Sequence, residues 1–244
     1  MSSPSVTLVN PETGNTQTIS LPSDLTPAFI TATATTNQIL VSLQPLSAST
    51  TCAGTGAIGV INTNTATLDY TICAGSKPGF IQVMPNDTVA FILDQTDNNV
   101  RALNLAALSP TSTTSVVGAV GTTPIWASTS LDGNTLYVLN RGSDNISVVD
   151  AVGQTVNPTP ITTGTTPSVI ITDRSLNRLY VSNTGNNTVS VLDASSSALP
   201  ALNIVTVGTA PVSLAVTPDG ASVYVANTGS NFASVINANS FNTT

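Results

Sequence analysis

The sequence predicts an all-β fold, a β-propeller of four-stranded antiparallel blades. Three observations point to it: a repeat of about 44 residues, four strand-like runs in each repeat, and no helical period anywhere in the chain. Three segments align almost without gaps: TTPIWASTSLDGNTLYVLNRGSDNISVVDA from Thr122, TTPSVIITDRSLNRLYVSNTGNNTVSVLDA from Thr165 and TAPVSLAVTPDGASVYVANTGSNFASVINA from Thr209. Two diverged copies begin near Thr26 and Lys77. A shared proline stands at 27, 78, 124, 167 and 211, giving spacings of 51, 46, 43 and 44, with the longest explained by an insertion around Cys52.

Each repeat reads as a meander. In the last copy the runs VSLAV, SVYVA and FASVI are separated by TPDG and NTGSN, and the preceding copy supplies NIVTV as the fourth run. Asp132-Gly133 and Asp219-Gly220 suit the first turn, where glycine accepts positive φ. Asn140, Asn183 and Asn227, each two residues before a glycine, suit the second. A four-stranded sheet of this length cannot bury both faces alone, so the units must stack, and short strands with this period point to propeller blades.

Residues 1–244 are read as a single domain, with repeats starting near 22, 75, 121, 164 and 208 and a partial blade over residues 1–21. SVTLVN and TQTIS read as third and fourth strands, and the C-terminal copy stops after a third strand. Six blade positions with one incomplete is the favoured count. A closed five-blade ring that borrows TQTIS, or a piece of a six- to eight-bladed parent, are the alternatives. An uncovered blade edge would invite self-association.

The runs LYVLN, LYVSN and VYVAN, each followed by a Gly/Asn turn, S-V-[VIL]-[DN] and, after the first two, G-T-[TA]-P, resemble the YVTN repeat of bacterial and archaeal surface-layer and other exported β-propellers. The resemblance is close over about 120–238 and loose over 22–119. It implies the fold, and it implies export and a secreted, cell-surface or periplasmic location. It implies no particular activity.

Composition narrows the function classes. Charged residues make up 7% of the chain against 41% hydrophobic, and the net charge is −7 with five basic residues, Lys77, Arg101, Arg141, Arg174 and Arg178. These form no cluster that could follow a phosphate backbone, so nucleic acid is not an expected partner. No apolar run reaches eighteen residues, so no membrane insertion is expected. The N-terminus MSSPSVTLVNPETG lacks the layout of a signal peptide; on the exported reading a leader has been removed and Met1 is a start codon ahead of the mature sequence.

Cys52 and Cys73 bracket two strand-like runs, GAIGVIN and ATLDYTI, joined by the turn-rich NTNT. The midpoint between them falls in that turn, so an antiparallel hairpin would set them roughly opposite each other and a disulfide is expected. Such a bond needs an oxidising compartment and adds about 3 kcal/mol by loop entropy.

There is no histidine, which removes Ser-His-Asp and Cys-His nucleophilic sites and His-ligated metals and thereby disfavours propeller-fold copper reductases and histidine-dependent lactonases. Carboxylates remain: Glu12 and eleven aspartates. Asp132, Asp219 and Asp144 lie in turns, where a carboxylate accepts local backbone N–H bonds, and Asp150 and Asp193 end third strands at equivalent positions held by Asn237 in the last copy. Repetition at one position argues for structure, and no catalytic residue is assigned. The densest oxygen-ligand group is Asp94, Asp97, Asn98 and Asn99. Asp94 and Asp97 are the metal candidates, for Ca²⁺, against a solvated turn matching the Asn/Gly turns of the other copies. No other cofactor is expected.

Arg174 and Arg178 flank Leu176-Asn177 where other repeats carry DG or ND, a place to face an anion or simply to be solvated. Trp126 reads as core or channel-lining ahead of sugar stacking. Sequons at Asn86, Asn145, Asn186 and Asn242 arise readily in a chain so rich in Asn, Ser and Thr.

The leading functional expectation is therefore a non-catalytic extracytoplasmic scaffold. It would bind a protein, a polysaccharide or a second copy through loops at one mouth of the ring. The alternative is an enzyme or cofactor-binding propeller, quinoprotein-like or lactonase-like, with carboxylates and a bound metal at the central channel.

Overall fold

The computed structural model describes residues 3–244, so Met1, read above as a start codon, lies outside it. The chain forms an N-terminal hairpin, β1 (Ser5–Val9) and β2 (Thr16–Ser20), and then five antiparallel sheets, here called blades. Blade 1 is β3 (Leu25–Ala32), β4 (Gln38–Pro45), β5 (Ala57–Asn62) and β6 (Thr67–Cys73). Blade 2 is β7 (Pro78–Val83), β8 (Val89–Asp94), β9 (Asn99–Asn104) and β10 (Ser115–Ala119). Blade 3 is β11 (Pro124–Thr129), β12 (Thr135–Asn140) and β13 (Asn145–Asp150), with its outer position split between β14 (Thr155–Val156) and β15 (Ile161–Thr162). Blade 4 is β16 (Pro167–Asp173), β17 (Arg178–Asn183), β18 (Thr188–Asp193) and β19 (Ala201–Thr206). Blade 5 is β20 (Pro211–Val216), β21 (Ser222–Asn227) and β22 (Ala233–Asn237), beside which Thr243 bridges to Ile236 at the start of the fourth strand position.

Two compact units divide the chain after Gly118: the first carries the hairpin with blades 1 and 2, the second blades 3 to 5. Among the described residues the helical structure is one 3-10 turn, Thr51–Gly54, and no helix is long and apolar enough to cross a membrane.

The repeat signature becomes geometry. In blades 2 to 5 the first strand begins at its proline, whose missing N–H suits a strand start, and in blade 1 Pro27 lies two residues inside β3; the register slips just beyond the proline in all five blades. Each third strand ends in an Asx turn: Asn62, Asn104, Asp150, Asp193 and Asn237 all accept backbone N–H groups two or three residues on. The asparagines ending the second strands turn inward rather than into solvent. Asn140, Asn183 and Asn227 donate through Nδ2 to the hydroxyls of Ser147 (2.9 Å), Ser190 (2.9 Å) and Ser234 (3.1 Å). A Cβ on Gly164 would lie 2.6 Å from Cγ of Asn183, so the glycine opening the G-T-T-P run is demanded by the amide beside it.

Between blades the packing is apolar. Tyr137, Leu139, Ile146 and Val148 of blade 3 meet Ile170, Leu179, Val181 and Leu192 of blade 4, with Trp126 packed half-buried against them. Tyr180, Val189 and Val191 of blade 4 meet Leu214, Val223, Val225 and Ile236 of blade 5. In the first unit the hairpin forms a half-blade: Ile19 and Leu21 are buried with Leu25, Val41, Leu43, Ala57 and Ile61. The second turn of blade 3 fixes the next blade as well. Asp144 Oδ1 accepts the Thr166 N–H at 2.7 Å, so this carboxylate bonds across blades rather than locally as the sequence suggested, and Asn187 repeats the contact to Ala210.

Candidate active site

The cysteines are joined: Cys52 and Cys73 form a disulfide with Cα atoms 5.4 Å apart. The route differs from a simple hairpin bridge, because Cys73 lies opposite Ala57 in the β5–β6 pair and Cys52 reaches it from the 3-10 turn. Asp24 anchors that turn by accepting the Thr50 and Thr51 N–H groups and the Ser49 and Thr51 hydroxyls. These bonds, the Thr51 N–H foremost, hold its carboxyl well below the usual carboxylate range.

Asp94 and Asp97 stand apart in environment. Asp94 is buried and its Oδ1 accepts three backbone N–H groups, from Lys77, Thr96 and Asp97, while Asp97 is exposed. Asp94 pairs with Pro78 just as Asn140, Asn183 and Asn227 pair with the prolines of their own blades, so it is the second-strand asparagine of blade 2 in acidic form. Among the described residues no three His, Cys, Asp or Glu side chains converge to hold a metal ion.

The informative contrast lies at the opposite end of the blades, where the first turns of blades 3, 4 and 5 carry equivalent residues. In blade 3 the Ser130 hydroxyl donates to Asp132 at 2.5 Å, and in blade 5 Thr217 donates to Asp219 at 2.6 Å. Blade 4 reverses the pair: Ser175 donates to Asp173 at 2.6 Å, which moves the carboxylate from the exposed turn to the buried strand end. Its turn also lacks glycine. Gly133 and Gly220 take positive φ in blades 3 and 5, whereas Asn177, one residue later, does so in blade 4. A Cβ on Gly220 would collide with the Ser175 hydroxyl, so the first turns of blades 4 and 5 are in direct contact.

The residue opening each second strand decides whether the seam to the next blade is open. Thr135, Arg178 and Ser222 occupy this position, opposite Asp150, Asp193 and Asn237. Between blades 4 and 5, Arg178 fills the seam: Nη1 donates to the Ala238 carbonyl and the guanidinium lies 5.2 Å from the centre of the Phe241 ring. The Asp173 Oδ2 and the Tyr180 hydroxyl are sealed in that seam without a hydrogen-bond partner. Between blades 3 and 4, Thr135 is too short to do the same, and a groove of about 390 Å³ remains.

Ser130, Asp132 and Tyr137 line one wall of this groove, and Asn177, Ser195 and Ser197 line the other. The Ser130 hydroxyl and the Asn134 N–H hold the Asp132 carboxyl below its ordinary range. Burial, with the Asp132 charge added, pushes the Tyr137 phenol up. In its resting state at neutral pH the groove therefore presents an ionised carboxylate acceptor beside a protonated phenol donor. Sequence reasoning set Asp132 aside as a turn residue and passed over Tyr137. The signal was the size change Thr–Arg–Ser at one repeat position. A larger cleft in the first unit, about 480 Å³, is lined by residues such as Asn10, Asn15 and Asn64 and by no titratable side chain.

Comparison with solved structures places this architecture. A protein from Bacteroides uniformis provisionally assigned as a 6-phosphogluconolactonase superposes with a TM-score of 0.74 at 16% identity, over 97% of this chain and 74% of its own. The chain is a β-propeller. A Bacteroides fragilis protein given the same provisional assignment matches the propeller with a TM-score of 0.71 at 14% identity, over 96% and 72% of the two chains. A dihydro-heme d1 dehydrogenase matches with a TM-score of 0.67 at 15% identity, over 99% of this chain and 47% of its own. Such distant likeness to proteins of different chemistry fixes the fold alone.

No curated protein matches the propeller by sequence. The family model described as lactonase, 7-bladed beta-propeller matches residues 151–243, which contain blades 4 and 5. That match overturns the expectation of a non-catalytic scaffold and the expectation that the chain is not an enzyme. The lactonase-like alternative is the one it favours. The family match and the solved structures support a β-propeller family and do not support the finer YVTN surface-layer assignment.

Proposed function

We propose that this propeller hydrolyses the ring ester of a small lactone in the groove between blades 3 and 4. The observation that carries the proposal is the lactonase match over residues 151–243, which includes the Asn177, Ser195 and Ser197 wall of that groove.

The chemistry needs an activated water and a donor for the developing oxyanion. Asp132 is the carboxylate available as base. Water attacks the ring carbonyl carbon as Asp132 takes its proton, and the Tyr137 O–H donates to the carbonyl oxygen as negative charge builds there. Collapse breaks the ring carbon–oxygen bond, and the proton on Asp132 returns to the departing alkoxide, giving the open hydroxy acid. The bonds to Asp132 keep it ionised at some cost in base strength, and burial of Tyr137 keeps its proton in place. The disulfide and the YVTN-like repeats support an exported, oxidising setting for this activity.

Acid release from D-glucono-1,5-lactone, measured above the uncatalysed rate, tests the reading. Asp132→Asn should lower the rate by about 100-fold or more, the usual scale for a general base. Tyr137→Phe should lower kcat while leaving the fold intact by circular dichroism. A chain that accelerates no five- or six-membered lactone contradicts the proposal.

A further inference from the structure

We propose that the groove between blades 3 and 4 takes a neutral, polyhydroxylated ring and rejects the phosphorylated form of the same ring. The inference rests on the lactonase reading for the reaction, and on the groove itself for the ligand class.

The walls offer both donors and acceptors to a polyhydroxylated ring. Thr135, Tyr137 and Ser197 bring hydroxyls, Asn177 brings an amide and Asp132 an ionised acceptor, while the Ser130 and Ser195 hydroxyls already donate to Asp132 and Asp193 and hold those carboxylates in place. Leu131, half-exposed on the rim, adds one apolar surface. At about 390 Å³ the groove lies within the range of small-molecule sites.

A phosphate group is best held by cations, and no Lys or Arg lines the groove. The chain has five basic residues in all. Lys77 and Arg101 belong to the first unit, where Arg101 is held by Thr114. Arg141 follows the end of β12, at the opposite end of the blade from Thr135. Arg178 stands at the position that Thr135 holds in blade 3, and it is spent on Ala238 and Phe241 in the closed seam. Arg174, on the first turn of blade 4, is exposed and does not line the groove. The local charge is the opposite sign: Asp132 lies in the wall and Asp150 pairs directly with Thr135, whereas Asp193, two residues before Ser195, is offset by Arg178 across the ladder. With a net charge of −7 around it, a phosphate dianion meets repulsion on approach as well as at the site.

The test uses stable rings that cannot react. Ligand-observed NMR titration of the full chain with 1,5-anhydro-D-glucitol and with its 6-phosphate should show the neutral ring binding at least tenfold more tightly. Thr135→Arg, which fills this groove as Arg178 fills the neighbouring seam, should weaken the neutral ring at least tenfold, with folding checked by thermal unfolding. Equal or tighter binding of the phosphate ester overturns the inference. So does neutral binding that Thr135→Arg leaves unchanged, or no binding of either ring to the unmodified chain. Hydrolysis is read separately. Preference for the neutral ring without any lactone turnover sinks the lactonase reading and leaves the ligand class standing, whereas turnover that favours the phosphorylated lactone does the reverse.

Discussion

The seam between blades 3 and 4 and the seam between blades 4 and 5 are built from the same repeat positions, yet one is open and the other closed. The apolar interiors are alike: Tyr137 is 3% exposed and Tyr180 0%. The difference sits at two positions near the first turn, where Ser130 and Thr135 in one seam become Asp173 and Arg178 in the other. A repeat supplies the same scaffold many times, and a site arises where one copy leaves the shared space unfilled.

The largest expected effect on this comparison comes from opening the closed seam. Arg178→Thr removes a charge-assisted hydrogen bond and the contact with Phe241, and leaves Asp173 buried without a cation near it. A loss of about 2 kcal/mol is expected from chemical denaturation. Adding Asp173→Ser removes the stranded carboxylate and should recover part of that loss, because the double variant recreates the pair found in blade 3. A double variant less stable than Arg178→Thr alone would break the equivalence of the two seams.

A smaller effect is expected on the open side. Ser130→Ala deletes the hydroxyl that donates to Asp132 and accepts the Thr135 N–H, at a cost of about 1 kcal/mol. It should also raise the Asp132 pKa and shift the acid limb of the lactonase profile upward, which a purely structural serine would not do.

The weakest effect is that of acid on stability. Side-chain and backbone donors, the Ser130, Ser195 and Thr217 hydroxyls first, lower the folded-state pKa of Asp132, Asp193 and Asp219. A folded pKa below the unfolded one contributes stability above the unfolded value, near pH 4, and that contribution is lost as pH falls through the folded value. The melting temperature should therefore hold from neutral pH to about 5 and decline only below about 4. Asp24 shifts in the same direction, so Asp24→Asn should flatten part of that decline in the first unit.

Much of the fold was legible because it is local and repeated. The prolines and the Asx residues ending the third strands recur in all five blades and the DG turns in two, and each fixes one feature of a blade. The disulfide was legible from the hairpin, although the 3-10 turn that carries Cys52 to Cys73 was not. The groove was not legible, because its walls come from separate repeats, residues 130–137 and 177–197, and its volume depends on side chains that are absent from it. Thr135 alone says nothing. Thr135 set against Arg178 and Ser222 says that one repeat position varies in size where the blades meet. Asp144 teaches the same point on a smaller scale, since the N–H group it satisfies belongs to the next blade.

The most direct measurement is the rate of D-glucono-1,5-lactone hydrolysis by Thr135→Arg and by Arg178→Thr, each confirmed folded. The open-groove account expects Thr135→Arg to lose about 100-fold or more in kcat/KM and Arg178→Thr to stay near the unmodified rate once its lower stability is allowed for. Full activity in a folded Thr135→Arg chain, or loss of activity in Arg178→Thr alone, would move the active site out of the groove and contradict the account.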